Sequence, residues 1–227
     1  MTTNEKLEKA KILKIIDILK QDLKIPSYQR PYKWEVHHVQ QLLSDLLQNF
    51  NKQRQVYRIG TIVLHQEENQ LSIVDGQQRL TTLTLLLKHL TKTESESYLS
   101  LLKQEYKHTT SQENIIKNNY YIKTFLLENN LKLNDEFKNY ILTICEMVCI
   151  TLNNLDEAFQ FFDSQNARGK RLEAYDLLKA YHLRAMQDKE QELIYKCVTQ
   201  WEAASLQDEQ SPNLHKIINQ ILFRLRS

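Results

Sequence analysis

The run Asp75-Gly76-Gln77-Gln78-Arg79 joins a carboxylate, a glycine, two amides and a guanidinium where an apolar run ends and a helical repeat begins. A strand that enters Asp-Gly and then a helix brings unpaired backbone N–H groups and the positive end of the helix dipole to one point, which is an anion site. Arg79 falls in the first turn, where a cation is disfavoured by roughly 0.3–1 kcal/mol unless a negative group is held nearby. Its presence argues for a bound phosphate or carboxylate. Gln77 and Gln78 add donors and acceptors able to read a base, a sugar or a phosphate. The same five residues also fit a plain hairpin exit, with Asp75 as the helix cap, Gly76 for the turn and Arg79 in solvent. The glycine pattern of a P-loop is not present in the sequence, so Walker-type chemistry is excluded.

Two further stretches carry similar chemistry. In IPSYQRPYKW, Pro26 and Pro31 stiffen a segment bearing Tyr28, Gln29, Arg30, Tyr32, Lys33 and Trp34. That mixture of stacking surfaces and cations suits nucleotides or single strands, although Trp34 also reads as a core plug. In FFDSQNARGKRL, Asn166, Arg168, Lys170 and Arg171 form a polar cationic loop around Gly169. Gly169 suits the left-handed position that ends a helix, and basic residues are welcome at a helix C-terminus for the dipole alone.

The chain has only 3 Gly and 3 Pro in 227 residues, so a helix-rich protein with few special backbone positions is expected. Apolar spacing predicts a helix over 4–20, a short strand over 24–28, and a helix from Val36 whose core stripe is Val36, Val39, Leu43, Leu46 and Phe50. Tyr57–His65 and Leu71–Asp75 read as a hairpin, followed at once by an amphipathic helix over 77–90. Beyond the polar break 91–97, helices are expected over 98–107, 113–129 and 135–146, then a buried strand over 147–152 that returns to the first sheet. Further helices are expected over 156–165, 172–186, 189–204 and 213–226. The sum is an α+β protein: a small mixed sheet from 24–28, 57–75 and 147–152, with many helices packed on it. Residues 1–95 form the α/β core, and 96–227 form a mainly helical part that completes the same domain.

Composition narrows the function classes. Lys and Arg number 30 against 28 Asp and Glu, a net charge of +2, so any anion site must be local rather than a global field. No apolar stretch reaches the roughly 18–20 residues of a membrane span, and Met1–Lys11 is too polar for a secretory signal. Three cysteines without a CxxC pair argue against disulfides and a zinc ribbon, and a reducing cytoplasm is expected.

The ordered set IPSYQRPYKW, RIGTIVL, SIVDGQQRLTTL and FFDSQNARGKRLEAYDLLKAY resembles the N-terminal domain of the GmrSD-type modification-dependent restriction enzymes, over about residues 10–185. The resemblance implies a fold related to the ParB/sulfiredoxin type. It also implies a domain that binds and often hydrolyses nucleoside triphosphates, with Mg2+, through DGQQR. That activity is coupled to recognition of modified phage DNA and to control of a nuclease. Asp75, Gly76, Gln77, Gln78 and Arg79 carry over onto that motif, with Asp75, Gln78 and Arg79 in the catalytic role. Tyr28, Gln29 and Arg30 carry over onto the YQR motif beside the same pocket, and Asn166, Arg168 and Gly169 onto the Asn-x-Arg-Gly turn. Family members often continue into an HNH-type nuclease, but no paired His/Asn/His signature follows residue 185, and His182 and His215 stand alone. The expectation is therefore the sensor half of a larger protein, or a chain working with a separate nuclease subunit. Competing readings are a DNA-binding module without turnover and a standalone ParB-like nuclease. Hydrolysis also needs a water activator, for which Asp75 or Glu35 is available if the fold brings it close.

Overall fold

A computed structural model describes residues 10–26, 29–67, 70–92 and 96–154, together with the separate helical positions Leu193, Lys196, Cys197 and Gln200. The chain parts into two compact units, one of Met1–Ile25 with Arg30–Ala158 and one of Pro26–Gln29 with Phe159–Ser227. In the second unit, the described helical positions fall within the helix expected over 189–204. The helices expected over 156–165, 172–186 and 213–226 lie outside the described residues, as do Tyr28, Asn166, Arg168 and Gly169.

The first unit is α+β. Its elements run β1 (Ala10–Lys14), α1 (Ile15–Leu19), β2 (Leu23–Lys24), α2 (Val36–Asn51), β3 (Tyr57–Glu67), β4 (Gln70–Asp75) and α3 (Gln77–Leu90). A 3-10 turn (Ser97–Lys103), α4 (Thr109–Glu128), α5 (Asp135–Asn139), a π turn (Tyr140–Ile144) and β5 (Cys145–Leu152) follow. The five strands form one mixed sheet in the order β1-β5-β3-β4-β2. β5 is antiparallel to β1 and parallel to β3, while β4 is antiparallel to β3 and parallel to β2. The strand over 145–152, which returns from far along the chain, thus occupies the interior of the sheet, as its buried Cys145, Met147, Cys149, Ile150 and Leu152 require.

Four expected elements take another form, the first being the helix expected over 98–107, which is a 3-10 turn over Ser97–Lys103. Residues 10–14 are a strand rather than the start of a helix. Paired residue for residue with β5 from Ala10↔Ile150 to Lys14↔Glu146, they satisfy its open edge, and this leaves Ile12 exposed. The strand expected over 24–28 stops after Lys24, because Pro26 has no N–H to continue a ladder. The helix expected over 135–146 breaks into α5 and a π turn, since Cys145 and Glu146 already belong to the sheet.

Helix α3 is more deeply placed than an amphipathic surface helix. Leu80, Leu83, Leu85, Leu86, Leu87 and Leu90 are all buried, and so are Thr81, Thr82 and Thr84. Thr82 and Thr84 donate to the carbonyls of Gln78 (2.8 Å) and Leu80 (2.7 Å), so their hydroxyls enter the core without an orphaned donor. Each fully buried leucine contributes about 1.5–3 kcal/mol through removal of apolar surface from water. This burial fixes the start of α3 rigidly at the end of β4. Among the described residues no helix is long and apolar enough to cross a membrane.

Candidate functional site

The site is built where β4 ends. Asp75 pairs with Val63 at the last rung of the β3–β4 ladder, and the register shifts there between Val63 and Leu64. Gly76 turns the chain with φ +96°, a left-handed conformation that glycine adopts without strain. A Cβ at that position would lie 2.5 Å from Cγ2 of Ile62. The turn thus sits hard against β3, and helix α3 begins at Gln77.

Arg79 does not reach into solvent. Its Nη2 donates to the carbonyl of Thr61 at 2.7 Å and to Asp75 Oδ2 at 3.4 Å. Its Nη1 lies over the backbone of Gly60, where a Cβ would collide with it. Gly60 is the position at which the β3–β5 register shifts, and it has φ +149°. The glycine of RIGTIVL is thus the seat of the Arg79 guanidinium. The negative group that offsets a cation in the first turn of α3 is Asp75 itself, so the anion that Arg79 calls for is in part supplied by the protein.

Burial pushes the Asp75 carboxyl above the ordinary carboxylate range. The Arg79 guanidinium, a hydrogen bond from the Gly76 N–H and the charge of Arg30 each pull it partly back. Arg30 and Arg79, far apart in sequence, therefore both act on one carboxylate. Arg30 is exposed, and the side chains of Asp75 and Arg79 are 28% and 25% exposed, so this face remains accessible to an anion. Gln29 belongs to the second unit, where its N–H donates to the carbonyl of Pro26 at 3.0 Å.

The two glutamines are buried. Gln78 Oε1 accepts from the N–H of Lys33 (2.8 Å) and of Trp34 (3.0 Å), while its Nε2 donates to the carbonyl of Pro31 (3.2 Å) and to Gln77 Oε1 (3.4 Å). Tyr32, grouped by sequence with the stacking aromatics, is fully buried instead. Its hydroxyl bonds Thr82 Oγ1 at 2.7 Å and Asn118 Nδ2 at 3.0 Å, and its N–H donates to Ser111 Oγ at 2.8 Å. Burial pushes the Tyr32 phenol up to about 12. Asn118 also donates to the carbonyl of Trp34 at 2.6 Å. Residues 31–34 thus form a strap fastened to α3 by Gln78 and Thr82 and to α4 by Ser111, Asn114 and Asn118. Sequence reasoning missed this α4 contribution, although Ser111, Asn114 and Asn118 stand three and four apart, the spacing of one helix face.

Trp34 is half-buried and stacks on His38, with ring centroids 5.8 Å apart. Glu35 caps α2, its N–H donating to His38 Nδ1 at 3.2 Å, and its carboxylate lies 3.6 Å from His37 Nδ1. Among the described residues there is no group of three or more His, Cys, Asp or Glu able to hold a metal ion by itself. Asp75 is a single carboxylate in contact with the Arg79 guanidinium, and the charge of Arg30 also acts on it.

A mixed-sheet α+β domain with an acidic-cationic site at the start of a buried helix defines the class. Residues 12–183 match the family model described as GmrSD restriction endonuclease, N-terminal domain, and the chain belongs to that family. A search of curated proteins returns no match. The family match ties the chain to a restriction system.

Proposed function

We propose that this domain binds the phosphate end of a nucleoside triphosphate at the start of α3, hydrolyses it slowly with Mg2+, and serves as the nucleotide-dependent sensor of its restriction system. The observation that carries this reading is the Arg79 guanidinium held beside Asp75 at the N-terminus of α3, with the charge of Arg30 acting weakly on the same carboxyl. Two guanidiniums and the dipole of a rigid helix favour a multiply charged anion there. Asp75, raised in pKa by burial, is the group suited to take a proton from an attacking water or to join the phosphates in holding Mg2+. Bound Mg2+ would neutralise charge on the phosphate oxygens. The 2.7 Å bond to the Thr61 carbonyl seats the Arg79 guanidinium, and its 3.4 Å contact with Asp75 is long, so a phosphate can share the guanidinium in place without breaking a short ion pair.

The sensing arm is the same proposal extended: DNA, including modified phage DNA, as the recognised partner, and an HNH-type nuclease domain or subunit as the controlled one. Thermal-shift titration with the four nucleoside triphosphates, with and without magnesium, tests the nucleotide reading. Stabilisation by at least one of them, with phosphate release over time, is expected. Binding without turnover would leave the noncatalytic DNA-binding module as the better reading, and no stabilisation by any would remove nucleotide from the account.

A further inference from the structure

Gln78 lies in the same turn as Asp75 and Arg79, yet its amide makes no approach to open solvent. We infer that Gln78 is a positioning residue, whose amide orients the 31–34 strap so that the adjoining Arg30 faces the start of α3. The assignment rests on the nucleotide-binding reading above.

A glutamine amide offers two acceptor positions and two N–H donors. All four are used, by Lys33 and Trp34 on the oxygen and by Pro31 and Gln77 on the nitrogen. None is left to bind a ligand, and three of the four go to consecutive parts of one strap. The carbonyl it holds belongs to Pro31, the residue after Arg30. Pro31 has a fixed φ, so a constraint on its carbonyl passes to Arg30 with little slack. The strap has an independent anchor at Tyr32, through Ser111, Thr82 and Asn118. Loss of the Gln78 amide therefore leaves the segment attached, and only its orientation beside Arg30 is released. The bonds of the Lys33 and Trp34 amides are only part-buried, so water can take them over once Gln78 is gone.

The test is a double-mutant cycle on the whole chain, with nucleoside triphosphate affinity measured by calorimetry for wild type, Gln78→Ala, Arg30→Ala and the double variant. Gln78→Ala is expected to weaken binding by about tenfold, and the double variant to bind no more weakly than Arg30→Ala alone. Equal affinity of Gln78→Ala and wild type, or weakening that simply adds to that of Arg30→Ala, overturns the inference while the nucleotide reading stands. A wild type that binds none of the four nucleotides overturns the reading and the inference together. Hydrogen exchange on the wild type gives a variant-free check: the Lys33 and Trp34 amides should exchange at least about tenfold more slowly than in an open loop. Exchange at the open-loop rate sinks the clamp whatever the nucleotide result, including the case in which Gln78→Ala does not fold.

Discussion

At the scale of single residues, Arg79 is held by Thr61, Gly60 and Asp75, and the last two make different predictions. On the proposed nucleotide reading, replacing Arg79 with alanine would remove a charge-assisted contact to phosphate and should weaken nucleotide binding by roughly 1.5–3 kcal/mol in a calorimetric titration. Gly60→Ala leaves the guanidinium in place chemically but puts a methyl group where Nη1 lies, on a backbone with φ +149°. We expect a stability loss of about 1–3 kcal/mol in denaturant unfolding, and a binding loss that vanishes when Arg79 is already alanine. Asp75 has the opposite polarity. Its folded pKa lies above the unfolded value because of burial, so its contribution to stability is fully present below the unfolded pKa and is lost as pH rises through the folded pKa. Asp75→Asn should flatten that decline in pH-dependent melts. It should also suppress phosphate release while leaving magnesium-free nucleotide binding intact, and unchanged turnover would remove Asp75 from the chemistry.

At the scale of elements, the clearest electrostatic device is on β5. Glu146 accepts from Arg58 Nη2 at 2.7 Å on β3 and from Lys14 Nζ at 3.3 Å on β1, so one carboxylate staples three neighbouring strands. The Arg58 hydrogen bond, with Lys14, holds its pKa below the ordinary carboxylate value. Stability from this group is therefore present above the unfolded pKa and is lost as pH falls through the lower, folded one. Glu146→Gln should shrink the acid-side fall in stability while lowering stability at neutral pH, as read from urea midpoints across pH 3 to 7, on the order of the window where carboxylates titrate. The strands and helices most legible in the sequence were those whose periodicity coincides with burial. Val39, Leu43 and Leu46 of α2 and the run from Gln77 to Leu90 are examples. Residues 10–14 misled because Ile12, Ile15, Ile16 and Leu19 fit a helical stripe, whereas the decisive interaction is a ladder with residues 146–150 that no local window contains. The site was legible in part for the same reason. DGQQR announces a strand-to-helix junction locally, but Tyr32, Thr82, Ser111 and Asn118 meet only through tertiary packing.

At the scale of the whole molecule, the family match spans residues 12–183, and the first unit carries the sheet, the strap and the start of α3. We expect the chain by itself not to cleave DNA with magnesium or manganese, because phosphodiester cleavage needs a metal held by several carboxylates or imidazoles. The rings of His37 and His38 lie with centroids 3.7 Å apart, but His38 Nδ1 accepts from the Glu35 N–H and His37 Nδ1 lies 3.6 Å from the Glu35 carboxylate, so both nitrogens are engaged at the start of α2. Cleavage by rigorously purified protein that survives Arg79→Ala and disappears with His37→Ala plus His38→Ala would relocate the chemistry to that pair. DNA binding without cleavage should fall steeply with salt if phosphates dominate the contact. The place of β5 in the sheet also sets a timetable for synthesis. β1 leaves the ribosome more than 130 residues before its hydrogen-bonding partner, residues 145–152, and β3 likewise waits for that strand on one side. Until then β3 presents an unpaired edge rich in buried-type residues such as Ile62, Val63 and Leu64. The nascent domain therefore passes through a sticky interval that closes only when β5 arrives, and a chain released before residue 145 should aggregate where one released after 158 does not.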